Sequence, residues 1–362
     1  MKITNIRTKL LHTPVETALI NQTKSRAYME IVLVKVETDE GITGYGYTYT
    51  DGFGGHAIKT LIDTDICTLL IGKDPTDVRA ISAFLLWELR QAGFAGVTVL
   101  GAAGIDLALW DIYSQAVGRP VCEILGKYRD RVPMYASVAG WIGLPVEEMV
   151  ERARQLVADK KMLGVKIQVG RAGLETDAMR LEKLRLALGQ DAKLFIDANT
   201  ILDVPTAIRL GKRLQEYDVF WLEEPISLRD PQGHRIIAEQ IDIPLATGEN
   251  FFGIHDCDEY IRDRLVRYIQ ADVIRVGGIT EWMRVAGYCD AQGIRVSPHF
   301  VMEVTAQVQC CVPNALFVEY IPWFQQFFED PIRTEDGFAY ARTKPGLGLK
   351  FTQSAIDRFE VQ

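Results

Sequence analysis

Val219-Phe220-Trp221-Leu222-Glu223-Glu224-Pro225 carries the most information in this chain. Four apolar residues deliver two adjacent carboxylates and then a proline. A buried strand that ends in charge has this form, because proline has no N–H to continue the ladder. Two neighbouring stretches repeat it. Upstream, Lys193-Leu194-Phe195-Ile196 leads to Asp197-Ala198-Asn199. Downstream, Ile243-Pro244-Leu245-Ala246-Thr247 leads to Gly248-Glu249-Asn250. Asp197 and Glu223 are 26 positions apart (223 − 197), and Glu223 and Glu249 are 26 apart again (249 − 223). One strand, one helix and two loops fill such a step. Three acids then close consecutive βα units and meet at the mouth of a parallel barrel.

The rhythm extends in both directions. Strands are expected over 133–138 and 164–169 before the three acidic ones, and over 271–276, 294–299 and 316–320 after them. Helical segments separate them, such as Pro145 to Lys160 with Met149, Ala153, Leu156 and Val157 on one face. Eight strands in this alternation predict an α/β protein, a modified (β/α)8 TIM barrel. A doubly wound open sheet is the competing architecture, weakened because no G-x-G-x-x-G follows an early strand. The first third differs. Strand patterns over 28–36 and 44–49 precede helical spacings at Ile81, Leu85, Leu86, Leu89 and at Ile105, Ala108, Leu109, Ile112. That order predicts an α+β capping domain over residues 1–125. The barrel is placed at 126–325, and a C-terminal segment, 326–362, is expected to pack back on the cap.

Composition narrows the function. A chain of 362 residues is long enough for two domains. It is 48% hydrophobic and 24% charged, as globular proteins are. The net charge of −8 offers no basic footprint for nucleic acid. The start, Met1 to Ile6, alternates like a strand and has no signal-peptide core. No apolar run is read as reaching the ~18 residues of a membrane span. Six cysteines without a C-x-x-C pair read as reduced thiols in a cytoplasmic protein.

Strand parity selects the residues that face the mouth. Lys166 and Gln168 share a face, as do Asp197 and Asn199. Glu223, Glu249, Asp272, His299 and Glu319 complete the set. One acid at a strand end is ordinary and solvated. Three at matched spacing need a cation, and hard oxygen donors suit Mg²⁺. His299 follows Pro298 at a strand end, with Asp272 one unit upstream. A carboxylate beside an imidazole sets its tautomer and suits it to acid–base work. Lys166 lies among apolar neighbours just before the first metal ligand, which favours a site role over a snorkelling one. Two polar stretches in the cap, 18–26 and 48–56, read as lids over the mouth. They bring Asn21 as a candidate substrate contact, with Tyr47 on the strand beside them, although Tyr45, Tyr47 and Tyr49 also suit strand packing.

The chain resembles the enolase superfamily, and within it the mandelate racemase subgroup. The resemblance rests on Gly104-Ile-Asp-Leu-Ala-Leu-Trp-Asp111, Gly164-Val-Lys-Ile-Gln168, Ile196-Asp-Ala-Asn199, Trp221-Leu-Glu-Glu-Pro225, Gly248-Glu-Asn250, Asp272-Val-Ile-Arg-Val-Gly-Gly278 and Pro298-His299. It implies a capping lobe over a modified barrel. It implies Mg²⁺ held by Asp197, Glu223 and Glu249, a dyad of His299 and Asp272, and Glu319 at the substrate carboxylate. One position departs. The subgroup usually carries K-x-K on the second barrel strand, and here the pair is Lys166 and Gln168. An amide takes no proton, so two-sided exchange is disfavoured and dehydration favoured.

The expected reaction is Mg²⁺-dependent removal of the proton α to a carboxylate by Lys166 or His299. The resemblance implies a base of this kind, since sites of the enolase superfamily pair a lysine or histidine base with Mg²⁺. Loss of the β-hydroxyl then turns an acid sugar, aldonate or aldarate, into a 2-keto-3-deoxy acid. A racemase, epimerase or lactone cycloisomerase would use the same residues. Gln168 and Asn199 are expected beside Asn21 and Tyr47 as substrate contacts, and Lys24 or Arg26 could meet a second carboxylate. The partners expected are a small carboxylate and further copies of the chain, an octamer by resemblance, with neither nucleic acid nor membrane.

Overall fold

The computed structural model describes residues 1–15 and 27–361. The chain opens with an antiparallel sheet of β1 (Ile3–Pro14), β2 (Tyr28–Thr38) and β3 (Thr43–Thr50), in that order. Helices α1 (Gly55–Leu61), α2 (Cys67–Leu70), α3 (Val78–Glu88), α4 (Val97–Val117) and α5 (Val121–Ile124) complete the cap. α4 packs directly on β3. A Cβ on Gly46 would lie 2.2 Å from the Gly104 carbonyl oxygen, so only glycine allows this approach. α4 also corrects the expectation from sequence. By length and composition it could cross a membrane, but 89% of its apolar window is buried inside the protein. Its hydrophobicity belongs to the cap core.

Eight strands then form the barrel: β4 (Arg131–Ala136), β5 (Gly164–Gln168), β6 (Lys193–Asp197), β7 (Val219–Glu223), β8 (Leu245–Thr247), β9 (Tyr268–Ile269), β10 (Arg295–Val296) and β11 (Val318–Tyr320). Successive strands from β4 to β10 pair in parallel. β11 pairs with β4, and a parallel bridge from Val296 to Ala315 joins β10 to the chain entering β11. Helices α6 (Val146–Ala158), α7 (Leu174–Leu188), α8 (Val204–Leu214), α9 (Pro231–Ala238), α10 (Gly253–Arg262), α11 (Ile279–Ala291) and α12 (Met302–Gln309) follow β4 to β10 in turn. After β11 comes a 3-10 turn over Gln325–Phe327, then the hairpin of β12 (Thr334–Glu335) and β13 (Phe338–Tyr340). β13 pairs antiparallel with β4. Helix α13 (Gln353–Phe359) returns to the cap, where the Val361 N–H donates to the Leu10 carbonyl at 2.8 Å.

One strand lies earlier than its sequence suggests. The apolar run 271–276 is buried but turns. The strand is Tyr268–Ile269. The cause is Asp272, whose Oδ1 accepts the N–H groups of Ile274 (2.7 Å) and Arg275 (3.0 Å) and removes them from any ladder.

The barrel interior is filled by aromatic rings. Tyr135, Phe195, Trp221 and Phe317 pack with ring centroids 4.4 to 6.3 Å apart. They form a dry floor beneath the acids and strengthen every charge interaction above it.

The motif from Gly104 to Asp111 joins cap to barrel. Asp106 on α4 accepts the Thr280 N–H (3.1 Å) in the first turn of α11, and Trp110 Nε1 donates to the Thr280 hydroxyl (3.0 Å). Asp111 accepts the N–H groups of Tyr45 (2.9 Å) and Leu347 (2.6 Å). Gly278 makes room for Asp106. Its φ is 101°, and an added Cβ would lie 2.4 Å from the Asp106 carboxylate. Gly278→Ala is expected to cost about 2–4 kcal/mol, from the left-handed backbone and the clash together. The denaturant midpoint against wild type measures this.

Candidate active site

Each acid reaches the mouth because its strand ends there. Asp197 closes β6 and Glu223 closes β7, and the two pair across the ladder. Glu249 follows β8 by two residues. One ligand oxygen from each lies within 4.8 Å of the others. Lys166 on β5 sits among them. Its Nζ is 2.7 Å from Glu223, 2.8 Å from Glu319 and 3.3 Å from Asp197. Burial by itself would lower the lysine, but Glu223 and Glu319 outweigh it and hold it protonated. Burial pushes Asp197 up to about 6 and Glu223 up to about 8, with neighbouring carboxylates adding to the rise. Burial would also raise Glu319, but Lys166 and His299 bring it down to about 2. The Ser137 hydroxyl (2.5 Å) and the Phe300 N–H (2.9 Å) donate to its two oxygens.

His299 and Asp272 form the second group. His299 Nδ1 is 2.8 Å from Asp272 Oδ2, which turns Nε2 toward the cavity, 3.5 Å from Glu249. Burial would lower the imidazole, but Glu249 and the bond to Asp272 raise it to about 9. Asp272 is fully buried behind the ring and does not line the cavity.

Backbone strain marks the same rim. Asn199 (φ 43°), Thr200 (61°), Glu224 (39°), Phe300 (47°) and Val301 (33°) all stand in the left-handed region, just past β6, β7 and β10. Such outliers persist where surrounding contacts over-determine them, and they gather at functional sites.

The cavity at the mouth measures about 210 Å³. Lys166, Gln168, Asp197, Asn199, Glu249, His299 and Glu319 line it, and Glu223 accepts a hydrogen bond from Lys166 at 2.7 Å. Gln168 is held on both sides. It accepts the Ile142 N–H (3.0 Å) and donates to Asn199 (3.0 Å), whose own amide donates to Asp197 at 3.1 Å. Asn21, Lys24 and Arg26 lie outside the described residues. Tyr47 is corrected by the structure. It is fully buried beneath the cap among Phe324, Phe328 and Phe351, and its hydroxyl donates to Glu303. Two positions along β3, Tyr49 faces the cavity instead.

Four residues here escape a reading of the sequence: Tyr49, Asp51, Arg275 and Asn250. The Tyr49 hydroxyl donates to Asp272 Oδ2 at 2.6 Å, the oxygen that also meets His299. Asp51 lines the cavity from the loop after β3 and lies 3.7 Å from Arg275. Arg275 donates to Asn250, whose amide donates to Glu224 at 2.9 Å. The period-2 alternation of Tyr45, Tyr47 and Tyr49 is a visible signal, but it does not say which ring faces the barrel. Tyr49→Phe removes one hydrogen bond to a buried charge, worth about 1.5–3 kcal/mol. It is expected to lower kcat at least about tenfold with KM little changed, measured by steady-state kinetics on the substrate found below.

The acids fit a hard divalent cation. All three donors are carboxylates, they converge, and two are driven toward protonation by burial and crowded negative charge that a cation would relieve.

Comparison with known proteins agrees with this geometry. The family model described as enolase C-terminal domain-like matches residues 148–355, and that of the mandelate racemase/muconate lactonizing enzyme N-terminal domain matches residues 2–126. The chain is 30% identical to the L-talarate/galactarate dehydratase of Salmonella typhimurium, over 95% of this chain and 87% of that protein. It is 30% identical to the 3,6-anhydro-α-L-galactonate cycloisomerase of Streptomyces coelicolor, over 99% of both. The crystal structure of an L-talarate dehydratase from Polaromonas, complexed with Mg and L-glucarate, superposes with a TM-score of 0.92 at 29% identity. That match covers 100% of this chain and 98% of the other.

Proposed function

The chain belongs to the mandelate racemase/muconate lactonizing enzyme family of the enolase superfamily, and we propose accordingly that it dehydrates an acid sugar to a 2-keto-3-deoxy acid with Mg²⁺. The observation that carries this reading is the meeting of three carboxylates, Lys166 and the His299–Asp272 pair on one cavity. Asp197, Glu223 and Glu249 are the residues to hold Mg²⁺. When bound, the cation supplies positive charge against the negative charge that builds on the substrate carboxylate.

The chain's own groups do the rest. Glu319 and Lys166 orient the carboxylate end. With its partners Asp197 and Glu223 occupied by a bound cation, Lys166 could give up its own proton. Lys166 or His299, in its unprotonated form, takes the α-proton, and the pair of electrons left on the α-carbon expels the β-hydroxyl. His299 Nε2, turned inward by Asp272, gives that hydroxyl a proton, so water departs. The enol left behind tautomerises to the 2-keto acid. The dry aromatic floor keeps these charges unscreened from below.

Cycloisomerisation is the second reading, favoured by the cycloisomerase relative. The Gln168 amide leaves no ionisable partner to Lys166 on β5, which speaks against two-sided racemisation. The test is a panel of mono- and diacid sugars with Mg²⁺, detecting 2-keto acid with semicarbazide. A product abolished by EDTA supports dehydration. No 2-keto acid, with deuterium from D₂O entering recovered substrate, points to epimerisation or cycloisomerisation.

We also infer a homo-oligomeric cytoplasmic enzyme. All six cysteines are free and five are buried, which suits a reducing compartment. The exposed Trp87 and Phe94 of the cap suit a subunit interface, which light scattering would test.

A further inference from the structure

We propose that Arg171 reads a second carboxylate, so that the enzyme's substrates are diacid sugars rather than monoacids. This rests on the acid-sugar reading of the same cavity and names the substrate class within it. Four cationic side chains line the cavity, and three of them are already matched. Lys166 is held by three carboxylates, His299 by Asp272, and Arg275 by Asp51. Arg171 lines the cavity and has no acidic partner among the described residues.

Arg171 is exposed, yet its platform is fixed. It follows β5 directly, beyond Val169 and Gly170. The Gly170 N–H donates to Asp177 at 2.7 Å, and Arg180 donates to the Gln168 carbonyl at 2.6 Å. Asp177 and Arg180 are 0% and 2% exposed and pair with each other at 3.4 Å. Burying two charges is costly, and these two are spent on both ends of the short segment that carries Arg171.

Charge then sets the direction of a bound substrate. One carboxylate belongs with Lys166 and the metal acids. A second one on the Arg275 side would meet Asp51, a like charge that lowers affinity. On the Arg171 side it would meet a guanidinium whose planar fork matches a carboxylate with two hydrogen bonds. The Asp51–Arg275 pair, offering both donors and acceptors, suits the substrate's hydroxyl groups. The sequence named Lys24 or Arg26 for a second carboxylate, both outside the described residues; the proposal gives that role to Arg171.

The test separates binding from turnover. Titration calorimetry with Mg²⁺ present would compare hexarates (galactarate, glucarate, talarate) with the matched hexonates, for wild type, Arg171→Gln and Arg171→Lys. In wild type at least one hexarate is expected to bind at least about tenfold more tightly than its hexonate, as one added bidentate ion pair gives. In Arg171→Gln that preference collapses to near unity, mainly through lost hexarate affinity, and Arg171→Lys restores part of it. Equal wild-type affinity for both classes overturns the proposal. So does an Arg171→Gln protein that keeps its preference, or one that loses both classes together, as a loosened loop would. If the preference behaves as expected but no hexarate yields a 2-keto acid, the subsite stands and the dehydratase reading falls.

Discussion

His299→Asn is expected to lower kcat for 2-keto acid formation by about 10²–10⁴-fold, the range of one positioned acid–base group. The substitution is chosen for its geometry. An asparagine amide can still donate toward Asp272, as Nδ1 of the ring does at 2.8 Å, so the buried carboxylate keeps a partner. What disappears is the nitrogen that carries a proton to the departing hydroxyl. The same variant also identifies the base. If Lys166 takes the α-proton, deuterium from D₂O still enters recovered substrate while elimination stops. If His299 takes it, exchange and elimination vanish together. A variant that eliminates at the wild-type rate would remove His299 from the reaction.

The second large effect concerns the metal acids and couples stability to activity. Without a cation, Asp197 and Glu223 hold their protons up to about 6 and about 8 because they are buried together. Both values lie above the ordinary unfolded ones, so the stability tied to these protons is complete at low pH. It is lost as pH rises through about 6 and then about 8. EDTA-treated protein is therefore expected to melt at falling temperature from about pH 5 to 8. Mg²⁺ should reverse this most at the upper end. At a hundredfold excess over Kd it adds about 2.7 kcal/mol. Glu223→Gln should flatten the pH dependence of the metal-free protein, remove the Mg²⁺-induced shift in Tm, and abolish turnover. A variant that still gains its full Tm shift from Mg²⁺ would take Glu223 out of the ligand set. Differential scanning fluorimetry across pH, with and without Mg²⁺, measures these stability outcomes.

The legible part of the site was the part carried by single strands. Asp197 and Glu223 could be found because each ends an apolar run, and the equal 26-residue steps place them, with Glu249, on neighbouring βα units. Lys166 and Gln168 followed from parity on one strand. The strand before Asp272 was misplaced because the carboxylate itself caps a turn through Ile274 and Arg275. A hydrophobic run records burial, and a side chain that captures two backbone donors decides that the run turns.

The cap contributed what no local pattern could place. Tyr47 and Tyr49 have similar neighbours in sequence and similar hydrophobicity. Only the docking of β3 against the barrel puts the Tyr49 hydroxyl on Asp272 and sends Tyr47 to Glu303. Asp51 meets Arg275 across the same seam. Asp106 capping α11 beside Gly278 helps hold that seam in register.

Barrel rhythm, the three oxygen donors, Lys166 and His299 are written locally in the chain, because apolar residues, acids and prolines encode strand period and strand termination in order. The assembled fold settles which tyrosine meets Asp272 and which cations of the cavity lie beside acids. Those outcomes depend on distances between residues hundreds of positions apart, and charge pairing in a shared cavity is a property of the assembled surface.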